Sequence, residues 1–252
     1  MGAGLATLLP DAVSMAFAKR LSEQNPQLLL EALGPRLNRT PSLDTMPFDL
    51  SPAGPPQFED LAGLFASTSL DHGVIAMTIP QTAYLFGLVR RKNPDKVIEI
   101  GRYKGGSTVA IAAAMNGRGE FWSIDLGEKE ARLHQGTANR SFDDQIRDIC
   151  KRFGLRVTLI AGDSRTIEVD TGEVDLVFID GDHSYEGVRN DFERFGRRVK
   201  VGGAVLFDDA CDEALFKTHA ESVGRLIKEV VANGEFQLAK SVNRLAHLER
   251  VR

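Results

Sequence analysis

The chain has 252 residues, of which 42% are hydrophobic and 26% are charged, a composition typical of a globular protein in water. Its net charge of −4 argues against nucleic acid as the main partner, because phosphate backbones are bound by basic surfaces. No apolar run approaches the roughly 20 residues that cross a bilayer, and the first residues lack the features of a signal peptide. Two cysteines are too few for a disulfide framework. We therefore expect a cytoplasmic protein that binds neither membranes nor nucleic acid.

Proline divides the chain into two parts, since eight of the ten prolines lie within the first 56 residues. Helical patterns are predicted at Asp11–Gln24 and Gln27–Leu37, followed by a Pro- and Ser-rich connector at Pro41–Pro56. We expect residues 1–74 to form a helical N-terminal extension that serves as a lid or in oligomerisation. Residues 75–252 are expected to form one large domain. Apolar stripes on the N-terminal helices predict a homo-oligomer, a dimer or larger.

From position 96 onward, short apolar runs alternate with patterns of helical period. The runs predicted as strands are Val97–Ile100, Phe121–Ile124, Val157–Ala161, Leu176–Ile179 and Ala204–Phe207. The predicted helices are one that begins at the capping box of Thr78 and Gln81, then Ser107–Met115, Phe142 to Phe153, Tyr185 to Val199, and Val223 to Val230. A predicted hairpin comprises Phe236–Ala239 and Leu245–Leu248. This order predicts an α/β fold with a doubly wound, mostly parallel, Rossmann-like sheet of seven strands, to which the C-terminal hairpin adds an antiparallel edge strand.

Ligands of such sheets bind at the carboxyl ends of the strands, and a glycine-rich loop follows the first strand. It runs E-I-G-R-Y-K-G-G-S from Glu99 to Ser107. Glycines let the backbone turn sharply and approach a ligand, with a helix N-terminus behind them. The spacing differs from the G-x-G-x-x-G of dinucleotide sites, which favours a ligand without a pyrophosphate. The acidic side chain of Glu99 suits a ligand that carries an ammonium group. Asp125 ends the second strand, where a carboxylate accepts from ribose hydroxyls; a plain turn with a solvated Asp is the alternative.

With this loop and Asp125, the chain resembles the class I S-adenosylmethionine-dependent methyltransferases from about Ile75 to the C-terminus. The E-I-G-x-Y-x-G-x-S pattern is similar to that of the catechol and caffeoyl-CoA O-methyltransferases. The resemblance implies that S-adenosylmethionine is the cofactor, that Gly101, Tyr103 and Ser107 hold its methionine part, and that Asp125 holds its ribose. Asp163 and Ser164 are assigned to the adenine. Glu99, Gly105 and Asp180 are also assigned to cofactor binding.

Three carboxylates follow the fourth and fifth strands. The fourth strand is followed by D-G-D-H-S-Y, which begins at Asp180, and the fifth by the pair Asp208 and Asp209. Because these strands are neighbours in the predicted sheet, the three carboxylates are expected to converge. They would repel one another without a cation, and Mg²⁺ favours oxygen ligands. The sequence therefore predicts a site for Mg²⁺ or Mn²⁺ at these three residues, with helix N-caps as the alternative interpretation.

The D-G-x-H-x-Y pattern followed by an acidic pair also resembles the metal-dependent O-methyltransferases of macrolide-sugar tailoring and their cephalosporin-hydroxylase-like relatives. The resemblance implies that Asp180, Asp208 and Asp209 bind Mg²⁺ and that His183 is the catalytic base. One departure is the Asp-Asp pair, where relatives often have Glu-Asp or Asp-Asn, and Asp182 is an alternative ligand. The resemblance also implies a small-molecule hydroxyl acceptor, such as a sugar or phenolic group of a secondary metabolite in antibiotic biosynthesis.

Three other interpretations stay open. One is a metal-independent methyltransferase on a nitrogen or oxygen acceptor, in which the acids act only as caps or substrate contacts. The second is a nicotinamide-dependent oxidoreductase, which the glycine spacing disfavours. The third is a cofactor-binding module without turnover, which His183 together with the acids disfavours. The acceptor-binding residues are not predicted, because such residues come from the N-terminal segment and from variable loops such as the insertion at Gly127–Ser141.

Overall fold

The computed structural model describes Leu43, Leu50 and residues 54–65, 74–127, 141–210 and 217–252, without the side chains of residues 217–220. The helices predicted at Asp11–Gln24 and Gln27–Leu37 lie outside the described residues, as does most of the connector at Pro41–Pro56. The same holds for residues 128–140 of the insertion. The lid or oligomerisation role of residues 1–74 therefore stays a prediction.

Within the described residues, seven strands form one sheet in the order β3-β2-β1-β4-β5-β7-β6. The strands are β1 Lys96–Ile100, β2 Glu120–Asp125, β3 Thr158–Ala161, β4 Val174–Ile179, β5 Val199–Phe207, β6 Phe236–Val242 and β7 Leu245–Arg250. The α-helices described are α1 Ile79–Lys92, α2 Gly106–Met115, α3 Phe142–Arg152, α4 Tyr185–Arg194 and α5 Lys217–Ala232. Strands β1 to β5 pair in parallel, and β7 is antiparallel to both β5 and β6. The predicted fold class is confirmed.

Helices cover both faces of the sheet, so the central strands bury side chains in both directions. In β4, Leu176 and Phe178 belong to the core that includes residues of α1, α2 and α3. Val177 and Ile179 belong to the opposite core, which includes residues of α4 and α5. Burial on both faces explains why these strands appear in the sequence as continuous apolar runs. None of the described helices combines the length and the apolar character needed to cross a membrane.

Two details differ from the sequence-based prediction. The helical period of three and four places Val199 on a helix, but α4 ends at Arg194 and β5 begins at Val199. A short 3₁₀ segment, Gly196–Arg198, separates them, and Val199 pairs with Val174. The second difference is that β7, the antiparallel strand, lies inside the sheet and β6 forms the edge. Burial accounts for this order, because β6 is mostly exposed while the first four residues of β7 are buried.

The helix that opens the large domain begins as predicted. The hydroxyl of Thr78 accepts a hydrogen bond from the Gln81 backbone at 3.4 Å, and the Gln81 side chain accepts one from the Thr78 backbone at 2.9 Å. Pro80 lies in the first turn, where its missing N–H has no cost. The capping box therefore fixes the residue at which α1 begins.

Candidate functional site

Backbone hydrogen bonds align the carboxyl ends of five parallel strands. The donors and acceptors, from β3 across to β5, are Gly162 N to Asp125 O at 2.8 Å, Gly101 N to Ile124 O at 2.9 Å, Asp180 N to Ile100 O at 2.8 Å, and Asp208 N to Ile179 O at 3.1 Å. The pairing thus continues to the first loop residue of each strand. Motifs that are far apart in the sequence therefore lie along one edge of the sheet, where open α/β folds bind their ligands.

A cavity of about 550 Å³ opens along this edge, a volume within the range of small-molecule sites. Of the nine residues assigned to cofactor binding, seven line it: Gly101, Tyr103, Ser107, Asp125, Asp163, Ser164 and Asp180. Glu99 and Gly105 do not belong to the lining. The segment that precedes α1 contributes Val74 to Met77.

Two glycines let the loop after β1 pack directly against neighbouring backbone. Gly101 has φ +84°, and a Cβ there would lie 2.1 Å from the carbonyl oxygen of Asp180. A Cβ on Gly106 would lie 2.6 Å from the carbonyl oxygen of Val74. Any side chain at these positions would push the segments that form the cavity apart. Gly105 acts differently, because a Cβ there would collide with the side chain of Ile146 on α3, so its smallness serves helix packing.

Glu99 lies beneath the cavity, in a fully buried position. Its carboxylate accepts hydrogen bonds from the hydroxyls of Ser107, Thr108 and Ser123, each at 2.6 Å. Burial raises the pKa of Glu99 from 4.5 to about 7, although these three hydrogen bonds lower it. The acid therefore orients Ser107, which does line the cavity, whereas the sequence suggested a direct contact with the cofactor ammonium group.

Asp125 shapes the cavity rim through both carboxylate oxygens. Oδ2 accepts from the backbone N–H groups of Arg102 and Tyr103 at 2.9 and 3.2 Å, and Oδ1 accepts from Gly127 N at 2.7 Å. Each oxygen of a carboxylate has two lone pairs, so Oδ1, which accepts one hydrogen bond, retains acceptor capacity for a ligand hydroxyl. The position is compatible with the ribose contact that the resemblance implies.

The loop after β3 borders the far end of the cavity. Asp163 is paired with Arg165, whose Nη2 lies 2.6 Å from Oδ2, and this hydrogen bonding lowers the pKa of Asp163 to about 2. Ser164 instead donates to Asp191, a buried aspartate of α4 that also lines the cavity. Burial raises the pKa of Asp191 above its ordinary value. The sequence-based prediction did not include Asp191. The only feature that could have indicated it is its position as a charged residue beside the inward-facing Phe192.

His183 stands between two of the predicted metal ligands. Its Nε2 lies 3.3 Å from Oδ1 of Asp180, and its Nδ1 lies 3.5 Å from Oδ2 of Asp209. Burial lowers the pKa of His183, but the hydrogen bond and charge of Asp180 outweigh it, so the net direction is upward. Asp180 belongs to the cavity lining and His183 does not. The carboxylate of Asp180 therefore connects the cavity to the imidazole behind it.

Asp208 and Asp209 complete an acidic cluster with Asp180. Asp208 is buried, and its Oδ1 accepts from Nε2 of Gln81 at 2.7 Å. Burial, followed by the charges of Asp180 and Asp209, raises the pKa of Asp208 to about 7. Burial likewise raises the pKa of Asp180 above its ordinary value, although His183 opposes the shift. The prediction that these three carboxylates come together agrees with their mutual electrostatic effects.

The three carboxylates do not fit a divalent ion in this arrangement. Oδ1 of Asp209 lies 2.6 Å from Nη1 of Arg244, and the carboxylates of Asp208 and Asp180 are hydrogen-bonded by Gln81 and His183. Mg²⁺ requires carboxylate oxygens that point at one centre. Among the described residues, no group of three or more His, Cys, Asp or Glu side chains has such an arrangement. The geometry thus differs from the predicted Mg²⁺ or Mn²⁺ site.

Two arginines of this region were missed from the sequence. Arg102, inside the glycine loop, is buried and pairs with both carboxylate oxygens of Asp143 at 2.8 Å. It also donates to the carbonyls of Ser123 and Ile160, each at 3.0 Å, and so ties the loop to β2, β3 and α3. Arg244, from the turn between β6 and β7, enters the acidic cluster. Neither position carries a recognisable motif.

Comparisons with known proteins agree with this geometry. A protein-family model described as a methyltransferase domain matches residues 98–210, from β1 to the acidic pair after β5. An uncharacterized protein of Acanthamoeba polyphaga mimivirus is 36% identical over 138 residues, which are 54% of this chain and 60% of that protein. The chain thus spans about three fifths of the length of this curated relative.

Solved structures of methyltransferases share the fold. The O-methyltransferase TomG from Streptomyces achromogenes, involved in tomaymycin synthesis and solved with S-adenosylmethionine, has a TM-score of 0.52 at 16% identity over 70% of this chain and 82% of its own. The methyltransferase PaMTH1 of Podospora anserina, bound to S-adenosylhomocysteine, has a TM-score of 0.51 at 17% identity. The match covers 97% of this chain and 99% of that protein. A methyltransferase of Geobacter sulfurreducens has a TM-score of 0.51 at 17% identity, over 69% of this chain and 81% of its own.

The sheet order and the cavity at its carboxyl edge agree with the fold of these solved methyltransferase structures. The methyltransferase-domain model matches residues 98–210, a little under half of the chain. The resemblance stated from the glycine loop and Asp125 agrees with this match and with the shared fold.

Proposed function

We propose that this protein transfers a methyl group from S-adenosylmethionine to a hydroxyl oxygen of a small molecule. The observation that carries the proposal is the position of Asp180, which lines the cavity and whose carboxylate contacts His183 at 3.3 Å. The carboxylate of Asp180 would then lie between a cofactor bound in the cavity and His183, which would act as the base. The match of residues 98–210 to a methyltransferase domain supports the same reaction.

The cavity suits a cationic cofactor. Bound S-adenosylmethionine would supply a methyl group that is already activated as a sulfonium. Among the described residues, the lining contains five aspartates, Asp125, Asp163, Asp180, Asp182 and Asp191, against two arginines, Arg102 and Arg165. Gly101, Tyr103 and Ser107 would hold the methionine part, Asp125 the ribose and Ser164 the adenine.

His183 is the residue that we assign as general base. Carboxylates lie near both ring nitrogens, at 3.3 Å for Asp180 and 3.5 Å for Asp209, so the ring is held in one orientation. With Nε2–H donating to Asp180, Nδ1 takes the proton of the acceptor hydroxyl, and both carboxylates stabilise the imidazolium that forms. About a fifth of the His183 side chain is exposed, which leaves a path by which an acceptor reaches it.

No step of the proposed reaction passes through a metal ion. Mg²⁺ dependence, predicted from the sequence, would require Gln81 and Arg244 to release Asp208 and Asp209. The metal-independent form left open by the sequence needs no such rearrangement, and the Arg244–Asp209 ion pair supports it. Methyl transfer in excess EDTA separates the two forms: full activity supports the metal-independent one, and activity that returns only with Mg²⁺ or Mn²⁺ supports the other.

The acceptor is proposed to be a small molecule with a free hydroxyl, a sugar or a phenolic group, and the active protein a homo-oligomer. A direct test incubates the full chain with methyl-labelled S-adenosylmethionine and three probe acceptors: catechol for phenols, a methyl hexoside for sugars and a primary alkylamine for nitrogen acceptors. Label that appears in an ether of either probe supports the proposal. Label that appears only on an amine probe, or cofactor calorimetry that detects NAD binding in place of S-adenosylmethionine, would contradict it.

The base assignment is tested by His183→Gln, which keeps a polar side chain and removes the basic nitrogen. We expect cofactor affinity to stay within a factor of two or so and the methyl-transfer rate to fall by roughly 10²–10⁴-fold. Part of the rate should return at high pH, where hydroxide replaces the base. The matched control is Ser184→Ala at the adjacent position, which removes the N-cap of α4 and should cost about 1 kcal/mol of stability with little effect on rate. Equal rate losses in both variants would show that His183 only shapes the start of this helix.

A further inference from the structure

Arg244 has no part in the proposed reaction, yet it lies inside the acidic cluster. The residue is 8% exposed, which is unusual for an arginine. Its Nη1 lies 2.6 Å from Oδ1 of Asp209, and both side chains of this ion pair are 9% exposed. The ion pair therefore places a buried positive charge among the carboxylates.

The hairpin between β6 and β7 holds Arg244 at three points. The backbone carbonyl of Arg244 accepts from Ala210 N at 2.7 Å, next to the acidic pair. The guanidinium also donates from Nη2 to the carbonyl of Ala76 at 3.3 Å, and Ala76 lines the cavity. The preceding residue, Asn243, donates to the hydroxyl of Thr78 at 3.0 Å. Both the main chain and the side chain of Arg244 are therefore fixed relative to the site.

The charge of Arg244 acts on the whole cluster. Besides its direct contact with Asp209, the guanidinium interacts electrostatically with Asp180 and with Asp208. Arginine stays protonated at any pH at which proteins are folded, so this cation is permanent. Three carboxylates in one place need such a positive charge, and here the chain itself provides one.

We propose that Arg244 is the resident cation of this cluster and occupies the electrostatic position that the sequence pattern assigned to a divalent ion. The inference deepens the proposed function and rests on it for the role of the cluster. Arg244 acts as a positioning residue: it holds Asp209, and Asp209 in turn lies 3.5 Å from Nδ1 of His183. The same charge repels Mg²⁺ or Mn²⁺ from the three carboxylates.

Mn²⁺ binding to the full chain, followed by electron paramagnetic resonance and without any acceptor, tests this proposal. We expect no saturable binding to the wild type and none to Arg244→Lys, which keeps the positive charge. Arg244→Gln removes the charge and should bind Mn²⁺ at least about 10-fold more tightly than the wild type, because deprotonated carboxylates gathered at one site attract a hard cation. Adding Asp209→Asn to Arg244→Gln should abolish the gain, which would locate the ion at the cluster.

Saturable Mn²⁺ binding to the wild type that disappears in Asp180→Asn would overturn the proposal. So would a folded Arg244→Gln variant that binds Mn²⁺ no better than the wild type. Arg244→Gln removes the guanidinium from Asp209 and can fail to fold; in that case saturable Mn²⁺ binding to the wild type or to Arg244→Lys still overturns the proposal. Because Mn²⁺ binding requires no methyl transfer, a failure to find an acceptor would count against the proposed function and leave this result unaffected.

Discussion

Replacing Glu99 by glutamine removes an ionisable group from beneath the cavity and keeps the size of the side chain. The wild-type carboxyl is fully buried, and burial raises its pKa from 4.5 to about 7. Between these two pH values the folded protein holds a proton that the unfolded chain has released. The stability of the wild type therefore falls as pH rises through this window, and above pH 7 the full penalty of a buried carboxylate applies.

The size of the effect follows from the shift. A rise from 4.5 to about 7 corresponds to ~3 kcal/mol of unfolding free energy. Asp180, Asp208 and His183 also have raised pKa values and change stability in the same direction. Since they are present in both proteins, the difference between the two pH profiles isolates Glu99. We expect the loss of stability between pH 4.5 and pH 8 to be ~3 kcal/mol smaller in Glu99→Gln than in the wild type.

Urea unfolding at pH values from 4.5 to 8 measures this difference, with the fluorescence of Trp122 as the signal. Trp122 is the single tryptophan of the chain and packs against the core on the face opposite α1. Glu120→Gln, an exposed position at the start of β2, is the matched control and should leave the pH profile unchanged. Parallel profiles for the wild type and Glu99→Gln would refute the reasoning, because they would mean that Glu99 is ionised in the folded protein at little cost.

Two further predictions concern the cavity itself. Asp125→Ala should weaken S-adenosylhomocysteine binding in calorimetry by roughly 1.5–3 kcal/mol, the usual effect of losing a hydrogen bond to a charged group; unchanged affinity would remove Asp125 from the ribose contact. Gly101→Ala should destabilise the protein by at least ~3 kcal/mol in urea unfolding, because its Cβ would meet the carbonyl of Asp180 at 2.1 Å. Gly172→Ala, where φ is +61° and the surrounding space is open, should cost only the ~1–2 kcal/mol of backbone strain, and equal losses at both glycines would argue against the clash.

Much of the fold could be predicted because its signals are local. Strands buried on both faces appear as apolar runs, and the helices between them repeat every three to four residues. The capping box at Thr78 and Gln81 marked the start of α1 correctly. Since parallel strands end at one edge, knowledge of the strand order was enough to bring the glycine loop, Asp125 and Asp180 to the same cavity. The boundary at Val199 was wrong because a buried valine satisfies either period.

What the amino-acid pattern alone determined was therefore the sheet, the edge at which ligands bind, and seven of the residues that line the cavity. The partners of the buried charges were decided only by the tertiary structure. Gln81 reaches Asp208 across 127 positions of sequence, and Arg244 reaches Asp209 from a hairpin turn that carries no motif. The periodicity of a sequence records which face of an element is buried. Which side chain neutralises a buried carboxylate depends instead on how distant segments pack, and at this site that packing places an arginine where the sequence had suggested a metal ion.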